Sequence, residues 1–350
     1  MGKVLRENVM QFTFSIYHLL YISLQEKEYI MDYSRIHITP DNYLLDLDEL
    51  EDGSEPRSRA YLYIEAGHSG LNEVCDAIYF TGNRVSSHEH HTGYETFLID
   101  GGAIELLQLS KKAKGRKGDI VHIMPYIPHS IHSLEDHSIW RAFHQGLWLY
   151  ENIKEDRGFR DRHWDLALSK DFKAEYKVYN KSLWFDYGFP ECKDVSPDEL
   201  PSLRQYDSAL AEYSYEGIIL KLKVGRWETG GLKEVWQLRL SQGYKISWDI
   251  KHPFVHLYDV FSGSVRVSIE GMNPFVAKTR DLIHIPKLYS GSIEVLEDTV
   301  LLDMGCQGYL TRFMDELNTY KVKEPAKLKD QSFIRELMKK NNYHVLFESL

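Results

Sequence analysis

The sequence contains one internal repeat, and this feature limits the possible folds more than any other. The segment HSIHSLED, which begins at His129, and the segment GSIEVLED, which begins at Gly291, both read x-S-I-x-x-L-E-D. Upstream of them, GDIVHIMP in the first copy matches RDLIHIP in the second. The glycines that come before these segments also correspond in spacing: Gly82 and Gly102 in the first copy, Gly243 and Gly263 in the second. The repeat predicts two copies of one domain, at about 75–150 and 235–310.

Each copy consists of short segments rich in β-branched and aromatic residues, separated by Gly, Asn and charged turns. Examples are IYFTGNRV, ETFLIDG and AIELLQL in the first copy, and YKISWDI and SVRVSIE in the second. Many short strands at turn-bounded spacing predict a mainly β protein with two barrels and a few packed helices. Apolar stripes with helical spacing follow the second copy: Leu310, Phe313, Met314 and Leu317, then Ile334, Leu337 and Met338.

The predicted organisation has four parts after an N-terminal leader. An N-terminal barrel occupies 31–150, and a proline-containing connector of loops and helices, the helices at about 151–175, occupies 151–210. The second barrel occupies 211–310, and C-terminal helices occupy 311–350.

The leader, 1–30, contains the apolar stretch QFTFSIYHLLYISL and has three interpretations. A secretory signal is disfavoured because no small-residue cleavage site follows, and the stretch is too short to span a bilayer. A strand or helix packed on the body is the second interpretation. We favour the third, in which translation starts at Met31. For a bacterial source, the purine-rich codons of Gln25-Glu26-Lys27-Glu28 resemble a ribosome-binding site.

Charge and cysteine content disfavour several kinds of partner and location. Lys and Arg total 42 against 52 Asp and Glu, which gives a net charge of −10. Such an acidic chain lacks the basic face that nucleic-acid phosphates require. The cysteines Cys75, Cys192 and Cys306 form no CxxC pair, which is typical of a reducing compartment. We therefore expect a cytoplasmic protein that acts on a small molecule, with no nucleic-acid or membrane partner.

Four side chains of the first copy have the spacing of metal ligands. His88 and His90 are two residues apart on a predicted strand, so both imidazoles point to one face. A turn then lets Glu95 begin the next strand and face them, and His129 follows on a later strand. Three imidazoles and one carboxylate suit one borderline divalent ion per chain, with Fe, Mn, Ni, Cu, Co and Zn as candidates.

These residues resemble the first motif of the cupin superfamily, G(x)5HxH(x)3–4E(x)6G. The motif is matched without departure by Gly82, His88, His90, Glu95 and Gly102. The resemblance implies two jelly-roll (double-stranded β-helix) barrels, a bicupin, and a metal site in the first barrel like that of quercetinase.

The second cupin motif, G(x)5PxG(x)2H(x)3N, is matched more loosely. Gly118, Pro125 and His129 are present, but one residue is added before Pro125. Ile127 replaces the motif glycine and Ser133 replaces the asparagine. Because the histidine is the residue of this motif that binds metal, the resemblance still implies His129 as a ligand.

The second copy lacks the ligand set. A gapless alignment between the motif glycines places Asp249, Lys251 and His256 at the positions of His88, His90 and Glu95. The alignment of the later segments, which is shifted by one residue, places Gly291 at the position of His129. An ammonium group and a missing side chain do not build a metal site. A partial site from His252 and His256 would need a one-residue slip that turns the other strand face inward, which disfavours it. We expect one working site, with the second barrel as packing partner or as the surface of a homodimer.

A substrate pocket is expected beside the metal. Phe97 and Ile99 share strand parity with Glu95, so they are expected to line the cavity near the metal. Ile104, Leu106 and Ile131 are expected to add to this apolar lining. Tyr79 and Arg141 are the polar residues expected to touch substrate.

Three functions fit this description. Iron, favoured over the other metals, would support a dioxygenase in which Glu95 accepts the substrate proton, and the apolar lining favours this choice. A non-redox ion would support an isomerase, epimerase or lyase acting on a sugar or hydroxy acid. The third is a binding protein without turnover. A bicupin decarboxylase is disfavoured because those relatives usually keep ligands in both barrels.

Overall fold

The computed structural model describes residues 35–46, 58–64, 73–90, 93–144, 182–184, 191–249 and 253–348. The leader, the start at Met31 and the connector helices expected near 151–175 lie outside the described residues.

The described residues before 205 form fourteen strands, most of them short. They are β1 His37–Ile38, β2 Leu45–Asp46, β3 Ser58–Ile64, β4 Glu73–Tyr79, β5 Arg84–His90, β6 Glu95–Gly101, β7 Ala103–Gln108, β8 Lys111–Arg116, β9 Ile120–Ile123, β10 His129–Ser133, β11 Ser138–His144, β12 Ser182–Trp184, β13 Lys193–Asp194 and β14 Leu203–Arg204.

The second half contains fewer but longer strands, followed by two helices. The elements are β15 Ala211–Tyr215, β16 Ile218–Val224, β17 Glu234–Leu240, β18 Lys245–Trp248, β19 His256–Ile269, β20 Phe275–Lys278, β21 Leu282–Ile285, β22 Gly291–Cys306, α1 Leu310–Lys323, α2 Gln331–Lys340 and β23 Val345–Phe347. The mainly β fold class and the two C-terminal helices are confirmed. Both helices bury the apolar stripes that predicted them.

The first barrel is formed by two facing sheets. One has the strand order β12-β5-β10-β7-β8-β13, and the other has the order β14-β9-β6-β11-β4-β3-β2. Alternate residues point inward, as in β7, where Ile104, Leu106 and Gln108 are buried and their neighbours are not. The core contains Cys75, Phe97 and Trp140 among its members.

The second barrel is one continuous sheet with the order β1-β21-β19-β22-β17-β16-β15, to which β18, β20 and β23 pair. The long strands β19 and β22 carry the sheet around the barrel. The core is larger than that of the first barrel and includes residues from α1, α2 and β23. These C-terminal elements therefore close the second barrel.

The two barrels exchange short strands. β1, which precedes the first barrel in sequence, pairs with β21 of the second, joining His37 to Ile283. β14, which precedes the second barrel, pairs with β9 of the first, joining Leu203 to Val121. The two pairings involve corresponding strands of the two copies. The segment that precedes each barrel thus adds a strand to the other barrel.

A third apolar cluster lies between the barrels. It joins first-barrel residues such as Val74 and Phe143 to second-barrel residues such as Leu257 and Leu302. Burial of this apolar surface stabilises the contact. Among the described residues, no helix is long and apolar enough to cross a membrane.

Candidate metal centre

A β-bulge in β5 orients the first two candidate ligands. β10 pairs with β5 through Ile131 opposite Val85 and His129 opposite His88, with a register shift between them. Three steps along β5 thus match two steps along β10. Val85 packs against the barrel core. The extra residue reverses strand parity, so that His88 also faces inward three positions later.

The four predicted ligands converge at one end of the first barrel. One donor atom from each of His88, His90, Glu95 and His129 lies within 4.8 Å of all the others. His129 Nε2 is 2.8 Å from Glu95 Oε2, and His90 Nε2 is 3.5 Å from the same oxygen. Among the described residues this is the one group of three or more metal-ligating side chains that is close enough to hold an ion.

The ring of His129 is held by a backbone carbonyl. Its Nδ1 lies 2.9 Å from the Ile127 oxygen. Since that oxygen only accepts hydrogen bonds, Nδ1 carries the proton, and Nε2 is the nitrogen directed at Glu95. Such a second contact is typical of metal-binding histidines because it sets the tautomer and the ring orientation.

The geometry fits a divalent ion. Two donors at right angles around an ion, each at about 2.1 Å, lie about 3.0 Å apart. The measured separations of 2.8 and 3.5 Å on either side of Glu95 agree with this spacing. His88 and His129 are buried, whereas His90 and Glu95 are half-buried, so the site is open on the side of the last two.

The charge of Glu95 is stabilised by its neighbours. Burial by itself raises the pKa of Glu95, but hydrogen bonds with His129 and His90, and the positive charge of these rings in their protonated form, outweigh it. The pKa of Glu95 is therefore held well below its usual value, and the ligand is an anionic carboxylate.

The apolar residues predicted to line the pocket are all buried in the first-barrel core. Phe97 and Ile131 lie two residues from Glu95 and His129, directly beneath the ligands. Ile99 lies one layer deeper.

Two other predicted pocket residues are elsewhere, and their assignments are wrong. Tyr79 is six residues, about 20 Å along β4, from the end of that strand nearest the ligands, and it stacks there on Trp140 with ring centroids 4.0 Å apart. Arg141 is fully buried on the opposite strand face from Trp140. Its guanidinium donates to Asp76 at 2.7 and 2.9 Å and to Asp259 of the second barrel.

The second barrel differs from the gapless alignment by one residue. β18 pairs with β22 without a bulge, and Trp248 lies opposite Gly291 as His88 lies opposite His129. Trp248, not Asp249, therefore occupies the position of the first ligand, and the alignment of Asp249 with it was wrong. Lys251 and His252 lie outside the described residues.

The space of the last ligand is filled in the second barrel. A Cβ added to Gly291 would lie 2.7 Å from the Trp248 ring and 2.5 Å from the Ser268 oxygen. The indole occupies the room that an imidazole would need. His256, at the Glu95 position, lies 3.3 Å from the Tyr258 hydroxyl through its Nδ1.

Two features of the site were not predicted from the sequence. The bulge in β5 had no clear signal, because a serine pair is compatible with either register. The Ile127 carbonyl had none either, because a backbone contact does not depend on side-chain type.

Comparisons with known proteins identify the fold. No family model and no curated protein matches the sequence. A tryptophan-to-tyrosine variant of Bacillus subtilis oxalate decarboxylase is similar in structure, with a TM-score of 0.51 and 13% identity over 89% of this chain and 88% of that one. A second structure of the B. subtilis enzyme, from work on its Mn(II) centres, has a TM-score of 0.51 and 12% identity, with 89% of each chain covered. At this identity the likeness shows a shared two-barrel fold.

Proposed function

We propose that this bicupin-fold protein is an enzyme that holds one divalent transition-metal ion in its first barrel and transforms a small organic molecule there. The observation that carries the proposal is the convergence of His88, His90, Glu95 and His129 within 4.8 Å. Two buried and two half-buried ligands suit a site that admits a substrate.

The choice of metal follows from the donor set and the fold. Three imidazoles and one carboxylate accept iron and manganese as well as zinc, cobalt, nickel and copper. Iron suits the oxygenase chemistry proposed below. Manganese is supported because Mn(II) centres are described for an oxalate decarboxylase with the same fold. Both metals therefore belong in the first tests.

The residues of the site and the bound ion would have different roles. A bound divalent ion would polarise a substrate oxygen and lower the pKa of an attached hydroxyl. His129, fixed by the Ile127 carbonyl, would keep its ring in place. Phe97 and Ile131 would exclude water beneath the ligands and contact the apolar part of the substrate.

We favour a dioxygenase acting on a phenol, enol or similar molecule. The described side chains directly beneath the ligands are apolar, and this lining suits dioxygen and an aromatic or enolic carbon skeleton. A polyanionic substrate would need a cationic side chain beside the ligands. Arg141, the candidate expected from the sequence, faces the second barrel.

A lyase of the decarboxylase type is the second candidate. It is favoured by the fold that the chain shares with oxalate decarboxylase. It is weakened by the second barrel, where Trp248 and Gly291 occupy ligand positions.

Elemental analysis of protein purified without oxygen or added metal tests the proposal first. About one iron or manganese per chain is expected. The loaded protein is then screened for oxygen uptake with phenols, diketones and thiols, and for anaerobic carbon dioxide release with small keto and hydroxy acids. Oxygen uptake identifies the dioxygenase and carbon dioxide release the lyase. A chain that stays metal-free after reconstitution would refute the proposal.

A further inference from the structure

A second buried carboxylate faces the interior of the first barrel near the metal ligands. Glu73 is the first residue of β4 and is 3% exposed. Cys75, two residues later on the same strand face, belongs to the barrel core, whereas Val74 belongs to the cluster between the barrels. Strand alternation therefore directs Glu73 inward.

The strand register puts Glu73 in the same layer as Glu95. Ala142 on β11 pairs with Cys75 on β4 and with Phe97 on β6. Because both pairings are antiparallel, β4 and β6 run in the same direction. Glu73 lies two residues before Cys75, and Glu95 lies two residues before Phe97. The two glutamates therefore lie in one layer of the barrel, on strands separated by β11, with about 10 Å between their Cα atoms.

The repeat supports the inward direction of Glu73. Its counterpart in the second barrel is Glu234, which begins β17 two residues before Trp236, just as Glu73 begins β4 two residues before Cys75. Glu234 accepts hydrogen bonds from the Trp236 indole at 2.9 Å and from the Thr311 backbone at 3.2 Å. There the carboxylate is used to hold α1 over the barrel.

The charges that act on Cys75 agree with this arrangement. The pKa of the Cys75 thiol is raised well above its usual value by burial first, and then by the negative charges of Glu73, Asp76 and Glu95. The negative charges of Glu73 and Glu95 therefore both act on the Cys75 thiol. Glu73 is not part of the group whose donor atoms converge, so it is a carboxylate beside the metal site and not a ligand in it.

We propose that Glu73 is a catalytic residue of the first barrel, the base that takes a proton from the acidic hydroxyl of a bound phenol or enol. The oxygen–hydrogen bond breaks, its electron pair stays on the substrate oxygen, and the proton moves to a Glu73 carboxylate oxygen. The protonated Glu73 returns the proton to the product. This assignment rests on the proposed function. It frees Glu95, whose charge the histidines stabilise, to remain a ligand throughout.

The strand register and the side-chain contacts place several ionisable groups around Glu73. Cys75 faces the same side of β4, and Glu95 and the ligand histidines lie across the layer. Asp76 and Arg141 face the second barrel, and Lys233 donates to the Phe143 carbonyl near the end of β11 at 3.2 Å. The side chain of His144 on β11 lies outside the described residues.

Azide binding to the cobalt-loaded protein tests the assignment without a substrate. A carboxylate that faces the cavity repels an anion beside the metal, so Glu73→Gln is expected to bind azide at least about tenfold more tightly than the wild type at neutral pH. Glu73→Asp, which keeps the charge, is expected to resemble the wild type.

Glu105→Gln is the matched control. Glu105 is a half-buried carboxylate on β7 of the same barrel, but it faces outward and pairs with Lys112 at 3.3 Å, so azide affinity should not change. Azide affinities within twofold for wild type and Glu73→Gln would overturn the assignment. If Glu73→Gln does not fold, Glu73→Ala is measured in its place: azide binding at least about tenfold tighter than in the wild type supports the assignment, and an affinity within twofold of the wild type overturns it.

The outcome separates this inference from the proposed function. Loss of kcat by at least about a hundredfold in Glu73→Gln, with metal content and KM preserved, is expected once a substrate is found. Turnover with no effect of Glu73→Gln would refute the inference alone. A metal-loaded protein that binds azide as expected but turns over no substrate would refute the function alone.

Discussion

The two barrels are copies of one repeat, but different side chains fill the same end of each barrel. In the first, a bulge turns His88 inward opposite His129, and the end of the barrel collects three imidazoles and a carboxylate. In the second, the strand runs without a bulge, and Trp248 fills the space beside Gly291. A barrel end can hold polar ligands or complete an apolar core, and one residue of register decides between them.

The second barrel is also closed from outside. Tyr343, Val345 and Phe347 from the C-terminal segment join its core. A pocket among the described residues at this end, beside His256, has a volume of about 10 Å³, which is close to the least that one water molecule needs. The second copy thus keeps the fold, but an indole fills the space that the metal ligands occupy in the first.

The largest effect is expected from removing ligands of the first barrel. His88→Ala combined with His90→Ala leaves two of four donors, so bound metal should fall from about one per chain to less than about a tenth. Elemental analysis measures this. His256→Ala in the second barrel is the matched control and should leave the metal content unchanged. Equal metal loss from both variants would contradict the difference between the barrels.

The next largest effect is expected where the barrels meet. Arg141→Met leaves Asp259 buried without the guanidinium that contacts it and leaves Asp76 with Arg280 as its remaining cation, which should lower the free energy of unfolding by about 3–5 kcal/mol in denaturant titrations. Arg266→Met removes an exposed pair with Glu294 and should cost about 1 kcal/mol or less. Equal losses from the two variants would mean that the buried network does not couple the barrels.

A smaller effect is expected at Gly291. Gly291→Ala places a Cβ against the Ser268 oxygen and the Trp248 ring, so the unfolding free energy should fall by about 1–3 kcal/mol. The control Gly101→Ala meets Ile139 at an ordinary 3.5 Å and should be tolerated. A neutral Gly291→Ala would show that Trp248 does not fill the ligand space tightly.

The smallest effect is a change in pH dependence from an acid inside the second barrel. Burial raises the pKa of Asp303 to about 7, with further contributions from its neighbours. The folded chain therefore holds this proton to higher pH than the unfolded chain, and stability falls as pH rises from about 4 to 7. Asp303→Asn should remove up to about 1.4 kcal/mol of this loss per pH unit.

Thermal or denaturant unfolding at several pH values measures this dependence. Asp194→Asn is the control, since its side chain is 82% exposed and should leave the profile unchanged. A profile for Asp303→Asn that parallels the wild type would show that Asp303 does not titrate within the second barrel.

The sequence correctly predicted that the four candidate ligands converge, but it misplaced two of the pocket residues. The HxH spacing fixed two imidazoles on one strand face, and the cupin motif supplied Glu95 and His129, which the structure brings together. Metal binding itself stays a prediction, as do the domain limits, the homodimer and the location in the cell. Tyr79 and Arg141 were misplaced because residue type and local spacing do not tell which end of a strand lies near the ligands, or which strand face packs on the other barrel.

The sequence by itself determined the strands, the repeat, the ligand types of the first copy and the loss of ligands in the second, because these depend on residue type and local spacing. The tertiary structure alone decided the bulge in β5, the burial of Arg141 between the barrels and the layer that Glu73 shares with Glu95. Each of these depends on which strand lies beside which, and in what register. Register is set by packing across the whole barrel, so a two-residue alternation read along one strand cannot specify it.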